Sequence, residues 1–235
     1  MSRLPYLSSQ TLGDQAYVAV REAIVSGALR RGEKVTERGL AESLNTSVTP
    51  VREALRRLEQ DRLVERLGPR SVRIRKFEDD ELREITMIED TLRALSARFA
   101  ALKATEAQLD RMRALLDSAD RMREEAESAQ TGGGRPLVDG ILDAMREFHG
   151  LVDQASGNPT LLQMLSMVHA FESDERRRGV LAEVETDRAA IEDRYHQHRA
   201  IFDAIAGRDP DRAEALMRAH SRSSNDSRIA TRLSR

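Results

Sequence analysis

Cysteine is absent from this chain of 235 residues. Its absence excludes disulfides, thiolate metal sites and cysteine nucleophiles together, and it fits a reducing compartment. Aromatic residues make up only 3% of the chain, with thirteen glycines and six prolines. That composition offers little material for a β-sandwich or barrel. No apolar run approaches the roughly 18 residues of a membrane span. Met1-Ser2-Arg3-Leu4-Pro5 carries no signal-peptide apolar core. The expectation is a soluble cytoplasmic protein without membrane partners.

Charge is plentiful but unevenly placed. Residues 1–76 hold 15 Lys and Arg against 9 Asp and Glu, a net of +6, whereas the remainder holds 23 against 31, a net of −8. The whole-chain net of −2 conceals this split. A basic head on an acidic body is the footprint of a phosphate-binding region joined to something else.

Within the head, Thr36 to Ile74 is the most informative stretch. Thr36 is placed as an N-cap, and Leu40, Ala41 and Leu44 form one apolar face. A short polar link, Asn45-Thr46-Ser47-Val48, precedes a second helix. The pattern predicts Thr49 as its cap and Pro50 as its first residue. Val51, Leu55 and Leu58 recur at helical spacing, which turns Arg52 and Arg56 outward, with Arg57 and Glu59 more to one side. A short helix, a tight turn and a second helix with an outward arginine row predict a DNA reader. Leu63-Val64-Glu65 and Val72-Arg73-Ile74, joined by Gly-Pro-Arg-Ser, read as a hairpin wing. Ahead of them, Tyr17, Val20 and Ile24 stripe a first helix, with Gly27 at its C-cap and Gly32 in the following turn.

The body reads as helices throughout, six or seven of them, with no sheet beyond the wing. Ile85, Ile88, Leu92, Leu95, Phe99 and Leu102 step by three and four, a seam suited to packing against a partner. Thr105 and Gln108 form a capping box for a helix carrying Leu109, Met112, Leu115, Leu116 and Met122. Ser128 to Pro136, with three consecutive glycines, breaks the body, and helices resume at about 137–156. Another begins after Asn158-Pro159, and two more are separated by Gly207-Arg208-Asp209-Pro210. Arg176-Arg177-Arg178 reads as a solvated face. The fold class expected is mainly α, with a head at 10–76 and a body at 78–230.

Five histidines carry the body's chemistry, and three lie on inward stripes. His149 adjoins Phe148 and Val152, His198 aligns with Tyr195, Ile201 and Phe202, and His220 follows Leu216 by one turn. His169 and His196 fall off those stripes. Inward histidines from three helices fit either satisfied core residues or a convergent metal site.

The motifs also carry a resemblance. Residues 16–35, Leu-Ala-Glu-Ser-Leu (40–44) and Thr-Pro-Val-Arg-Glu-Ala-Leu-Arg-Arg-Leu (49–58) resemble the winged helix-turn-helix of the GntR family. The resemblance implies DNA contacts at Arg38, Arg52 and the wing tip near Arg70, with Thr49 and Arg56 beside them. Val48 stands where the family usually has an arginine. It cannot hydrogen-bond a guanine edge, though it can touch a thymine methyl. Asn45-Thr46 replaces the usual Gly-Val of the turn, and Ser71 replaces the usual wing glycine.

Residues 78–223 resemble the FCD ligand-binding domain of the FadR subgroup, through Phe-His-Gly-Leu-Val-Asp-Gln-Ala-Ser-Gly-Asn-Pro (148–159), His-Arg-Ala-Ile-Phe-Asp-Ala-Ile-Ala-Gly-Arg-Asp (198–209) and Ala-Leu-Met-Arg-Ala-His (215–220). The resemblance implies a divalent metal such as zinc or nickel on His149, His198 and His220, beside a small carboxylate effector. The family's aspartate ligand belongs four residues before the first histidine, where this chain has Met145; Asp143 lies on another side of the helix. A thioether is a soft, weak ligand for such metals. Many relatives carry Arg and Glu four residues apart on the first body helix, and here the order is reversed, Glu89 and Arg93. That pair is read as an ordinary ion pair, with an effector contact for Arg93 or a ligand role for Glu89 as alternatives. The whole implies a homodimeric transcriptional regulator, most simply a repressor, acting on a palindromic operator in double-stranded DNA. A metal-dependent hydrolase and a DNA-binding dimer without effector response stand as alternatives.

Overall fold

The structure, a computed structural model, describes residues 11–128, 134–169 and 188–233. They form two compact units, one chiefly of residues up to Glu78 and the other chiefly of Asp79 onward.

In the first unit, α1 (Leu12–Val25) opens with a capping box between Thr11 and Asp14. It ends before Gly27, whose φ of 78° is a left-handed conformation that glycine enters without a Cβ clash. Helix α2 (Glu37–Ser43) is capped by Thr36, whose hydroxyl accepts from the Gly39 N–H at 3.0 Å. Asn45 then takes φ 49°, so asparagine performs the left-handed turn for which the related motif uses glycine. Helix α3 (Val48–Gln60) starts earlier than the pattern predicts. Ser47, not Thr49, is its N-cap residue, and Pro50 is its third residue rather than its first. Proline is tolerated there because N–H groups of the first turn have no intrahelical acceptor. Val48 packs partly against the head's core, which draws it into the helix.

The wing is also larger than expected. Strands β2 (Val64–Gly68) and β3 (Ser71–Ile74) form the hairpin, and β1 (Lys34–Thr36) pairs with β3 to give the order β1-β3-β2. Three residues are too few for a periodic signal, but Val35 opposite Val72 ties β1 into the core. Val51, Leu55 and Leu58 are fully buried there, beneath Val20 and Ile24 of α1.

The second unit is all helical among the described residues. It comprises α4 (Asp79–Lys103), α5 (Glu106–Ser128), α6 (Gly134–Ala155), α7 (Pro159–His169), α8 (Arg188–Ala206) and α9 (Pro210–Leu233). Thr105 and Gln108 exchange the hydrogen bonds of a capping box at the start of α5. Asn158 accepts from the Leu161 N–H ahead of α7, whose first residue is Pro159. Helix α6 begins at Gly134, earlier than the expected 137. Residues 129–133 of the glycine-rich break, and the Arg176–Arg178 run, lie outside the described residues.

Helix α4 turns an alanine face inward: Ala94, Ala97, Ala100 and Ala101 are buried. The apolar seam occupies another side. Ile88 and Leu102 are exposed, and Ile85, Leu92, Leu95 and Phe99 are half-buried. The small inward residues allow close approach of α9, which Arg98 also holds through Asp211 and Glu214. Around them, Met112 and Leu116 of α5, Phe148 and Val152 of α6, and Ile201 and Ile205 of α8 complete the core.

Candidate DNA interface and metal centre

Of the three α3 arginines expected to point away from the core, Arg52 and Arg56 do so and Arg57 does not. Arg52 and Arg56 on α3 and Arg70 at the wing tip are exposed, as is Thr49. Arg38 is exposed on α2 and pairs with its neighbour Glu42, one helical turn on. Arg57 instead turns back to Asp14 and lies over the Tyr17 ring, so it belongs to the structure of the head. Tyr17 donates to Asp61 at 2.6 Å; burial first, and that carboxylate second, push its phenol above the ordinary range. Missed by sequence reasoning is Glu37, buried beneath Arg52 and Arg66. An acidic first residue of a helix is common, and no spacing rule marks it as buried.

In the second unit, α6, α8 and α9 bring His149, His198 and His220 together. The Nε2 of His149 lies 3.1 Å from that of His198 and 3.3 Å from that of His220. His198 and His220 are buried and His149 is half-buried. Two nitrogens each about 2.0–2.1 Å from a tetrahedral zinc stand about 3.3 Å apart, so these separations fit one ion between the rings. The same ring nitrogen is offered by each histidine. For His220 a neighbour explains why: its Nδ1 lies 2.9 Å from the Gln197 Oε1, which leaves Nε2 to face inward. Phe148 closes the cluster with its ring edge-on to both His149 and His198. His196, off the stripe, is exposed.

The scaffold behind His198 is polar and well tied. Tyr195, one turn earlier on α8, donates to the Leu116 carbonyl at 2.9 Å. Burial first, and then the neighbouring Asp120 carboxylate, push its phenol up to about 12. Arg199 bridges Asp117 and Asp120, fastening α8 to α5.

The remaining expected residues fall on either side of the histidines. Met145 lies one turn before His149 on α6 and is buried with the helical core. Asp143 is exposed and pairs with Arg146 at 2.7 Å. Glu89 and Arg93 form the ordinary i,i+4 pair, Nε to Oε1 at 2.7 Å, but both are buried. Asp153, one turn after His149, approaches Arg93 at 3.8 Å and accepts from the Ser96 hydroxyl at 2.8 Å. Sequence reasoning overlooked Asp153, although its spacing of four from His149 puts it on the same helix face. The group at 89, 93 and 153 therefore holds two carboxylates for one guanidinium.

Comparison with known proteins agrees with both halves. Residues 12–74 match the gntR family of bacterial regulatory proteins, and residues 84–223 match the FCD domain. The chain is 29% identical over 214 residues to the probable D-xylose utilization operon transcriptional repressor of Paenarthrobacter nicotinovorans, covering 91% of this chain and 87% of that one. Among solved structures, E. coli McbR/YncC has the same fold with a TM-score of 0.72 at 20% identity, over 95% of this chain and 99% of the other. A putative GntR transcriptional regulator from Rhodococcus sp. RHA1 gives a TM-score of 0.65 at 19% identity, over 93% and 97% of the two chains. No helix among the described residues is long and apolar enough to cross a membrane. Regulators of this kind are not enzymes, which sets the hydrolase alternative aside. The chain belongs to the GntR family of bacterial regulatory proteins, in the FadR-like group that carries an FCD domain, and is a transcriptional regulator.

Proposed function

We propose that this regulator is a cytoplasmic homodimeric repressor that releases a palindromic operator when a small carboxylate metabolite binds its metal-loaded body. Residues 10–76 are the DNA-binding domain and 78–230 the effector and dimerisation domain. In the head, Arg52 and Arg56 of α3 face the major groove, Thr49 and Arg38 meet phosphates beside it, and Arg70 reaches from the wing. In the body, His149, His198 and His220 hold a divalent ion such as zinc or nickel. The observation that carries this reading is the convergence of three Nε2 atoms, with two of their separations at 3.1 and 3.3 Å.

Three imidazoles are neutral ligands, and Met145 brings no charge where the related sites have an aspartate. Bound metal would thus keep its full double charge toward an anion and leave coordination positions open. The effector's carboxylate belongs at that end of the site. Arg93 is already flanked by Glu89 and Asp153, so a further carboxylate there would face two negative groups and one positive. For dimerisation, the exposed Ile88 and Leu102 with half-buried Leu92, Leu95 and Phe99 support α4 as the contact helix. A second copy would bury this seam while α4 keeps its alanine face inward.

The test is a fluorescence titration of operator duplex with zinc-loaded protein against a panel of small carboxylates. One of them should weaken operator binding by about 5- to 150-fold, and His198→Ala should abolish the response while retaining operator binding. Operator affinity indifferent to every carboxylate, with metal bound, would instead favour a DNA-binding dimer whose body only dimerises.

A further inference from the structure

Among the described residues of the head, Glu37 is the one charged side chain that is almost wholly removed from water, at 1% exposure. It is the first residue of α2, yet its carboxylate reaches two other elements. Arg52 of α3 donates from Nε to Oε2 at 3.0 Å, and Arg66 of β2 donates from a terminal nitrogen to Oε1 at 3.2 Å. Arg66 also contacts Glu59 of α3 at 3.4 Å, so two carboxylates and two guanidinium groups make a neutral cluster. The Glu37 backbone N–H donates to the Arg70 carbonyl at 3.1 Å, which ties the wing tip to the same point. Burying a carboxylate is costly unless it is paired and hydrogen-bonded. Here both oxygens are engaged.

The manner of the Arg52 contact is informative. A guanidinium held through Nε is gripped at its side, and its two terminal nitrogens point onward as a planar fork. The Arg52 side chain is 46% exposed, so the fork reaches solvent while the stem is clamped. A fork of this kind matches the O6 and N7 acceptors of a guanine edge. Its charge, meanwhile, is largely matched by Glu37, which makes Arg52 a poor anchor for bare phosphate. Arg38 differs: at 84% exposure, with a partner itself in water, it suits phosphate attraction.

We propose that Glu37 is a positioning residue for sequence reading, fixing Arg52 for a base edge and coupling the recognition helix to the wing. Its removal separates specific from general DNA binding in opposite directions. The inference rests on the assignment of Arg52 to the DNA interface, and the experiment distinguishes the two.

The full-length protein, an operator selected by it from a random duplex library, and a random-sequence duplex of equal length are the materials. Glu37→Gln keeps the shape and removes the charge. The ratio of operator to random-duplex affinity should fall by about ten-fold or more. Random-duplex affinity should hold or rise, with a salt dependence steeper by about one phosphate contact, because Arg52 is freed for the backbone. Glu37→Asp retains the charge but withdraws the carboxylate by one methylene, and it should lower the ratio in the same direction if the glutamine variant does not fold. In an Arg52→Gln background, Glu37→Gln should change the ratio no further. Equal losses of operator and random-duplex binding, or an unchanged ratio in a folded Glu37 variant, would overturn the proposal. If Arg52→Gln itself left the ratio intact, the DNA assignment of Arg52 would fall instead.

Discussion

Each of the two units draws a polar cluster from three of its elements, and these two clusters are built on opposite principles. In the head, Glu37 and Glu59 meet Arg52 and Arg66, so acceptors meet donors and the charges cancel. In the body, His149, His198 and His220 present the same nitrogen to one another at near-contact distances. A matched cluster is complete and holds other side chains in place. A cluster of three like imidazole nitrogens offers a divalent cation its ligands. The contrast separates matched charges, suited to positioning side chains, from like ligand atoms, suited to receiving an ion, although both look alike as polar clusters.

The comparison can be pressed from either side. Arg52→Ala removes the fork supported by the matched cluster. Discrimination against altered operators should drop by about 1–3 kcal/mol in a DNA titration, with unchanged metal content and a lowered melting temperature, because the buried Glu37 carboxylate loses one of its two partners. Parallel loss at every base pair would mark Arg52 as a phosphate contact only. On the body's side, Gln197→Leu deletes the acceptor beside the His220 Nδ1 without touching a ligand atom. Competition against a chromophoric zinc chelator should show affinity weakened by about 10- to 100-fold; wild-type affinity would mean that the His220 ring is oriented by packing alone.

A smaller effect is expected from Tyr195→Phe, which loses the hydrogen bond to the Leu116 carbonyl. Stability to urea should decrease by about 1 kcal/mol at neutral pH. The folded-state phenol titrates near 12, above an ordinary value of 10.0. Its contribution is therefore present in full below pH 10 and is lost as pH rises through about 12. The difference between wild type and variant should accordingly shrink between those limits, and a difference that grew with pH would contradict the assigned shift.

Much of this architecture was legible in the residues, for reasons that can be separated. The helical stripes of Val51, Leu55 and Leu58, and of Leu109, Met112 and Leu116, are local periodicities, and the folded core keeps them. Helix ends were less legible. Ser47 and Thr49 are both good cap residues, and proline is admitted at more than one position of a first turn, so local chemistry left the start of α3 open. Strand β1 has only three residues and is defined by its partner β3. The seam of α4 was visible, but which side of that helix faces its own domain was decided by alanines that carry little hydrophobic signal.

The candidate sites follow the same division. Three histidines on inward stripes were apparent from spacing, whereas their convergence depends on how α6, α8 and α9 pack. Reversing Arg and Glu to Glu89 and Arg93 was visible as a departure. Its consequence emerged only with Asp153, which comes from another helix to flank the same guanidinium. Glu37 gave no signal at all, because burial of a helix's first residue is a tertiary fact.

The most direct test of the body's reading is metal content. Tag-free protein purified without chelator should carry close to one equivalent of divalent metal per chain by mass spectrometry, and the His149→Ala/His198→Ala variant should carry none. Wild-type protein that stays metal-free after incubation with zinc, nickel and manganese would contradict the account and leave the three histidines as packing residues.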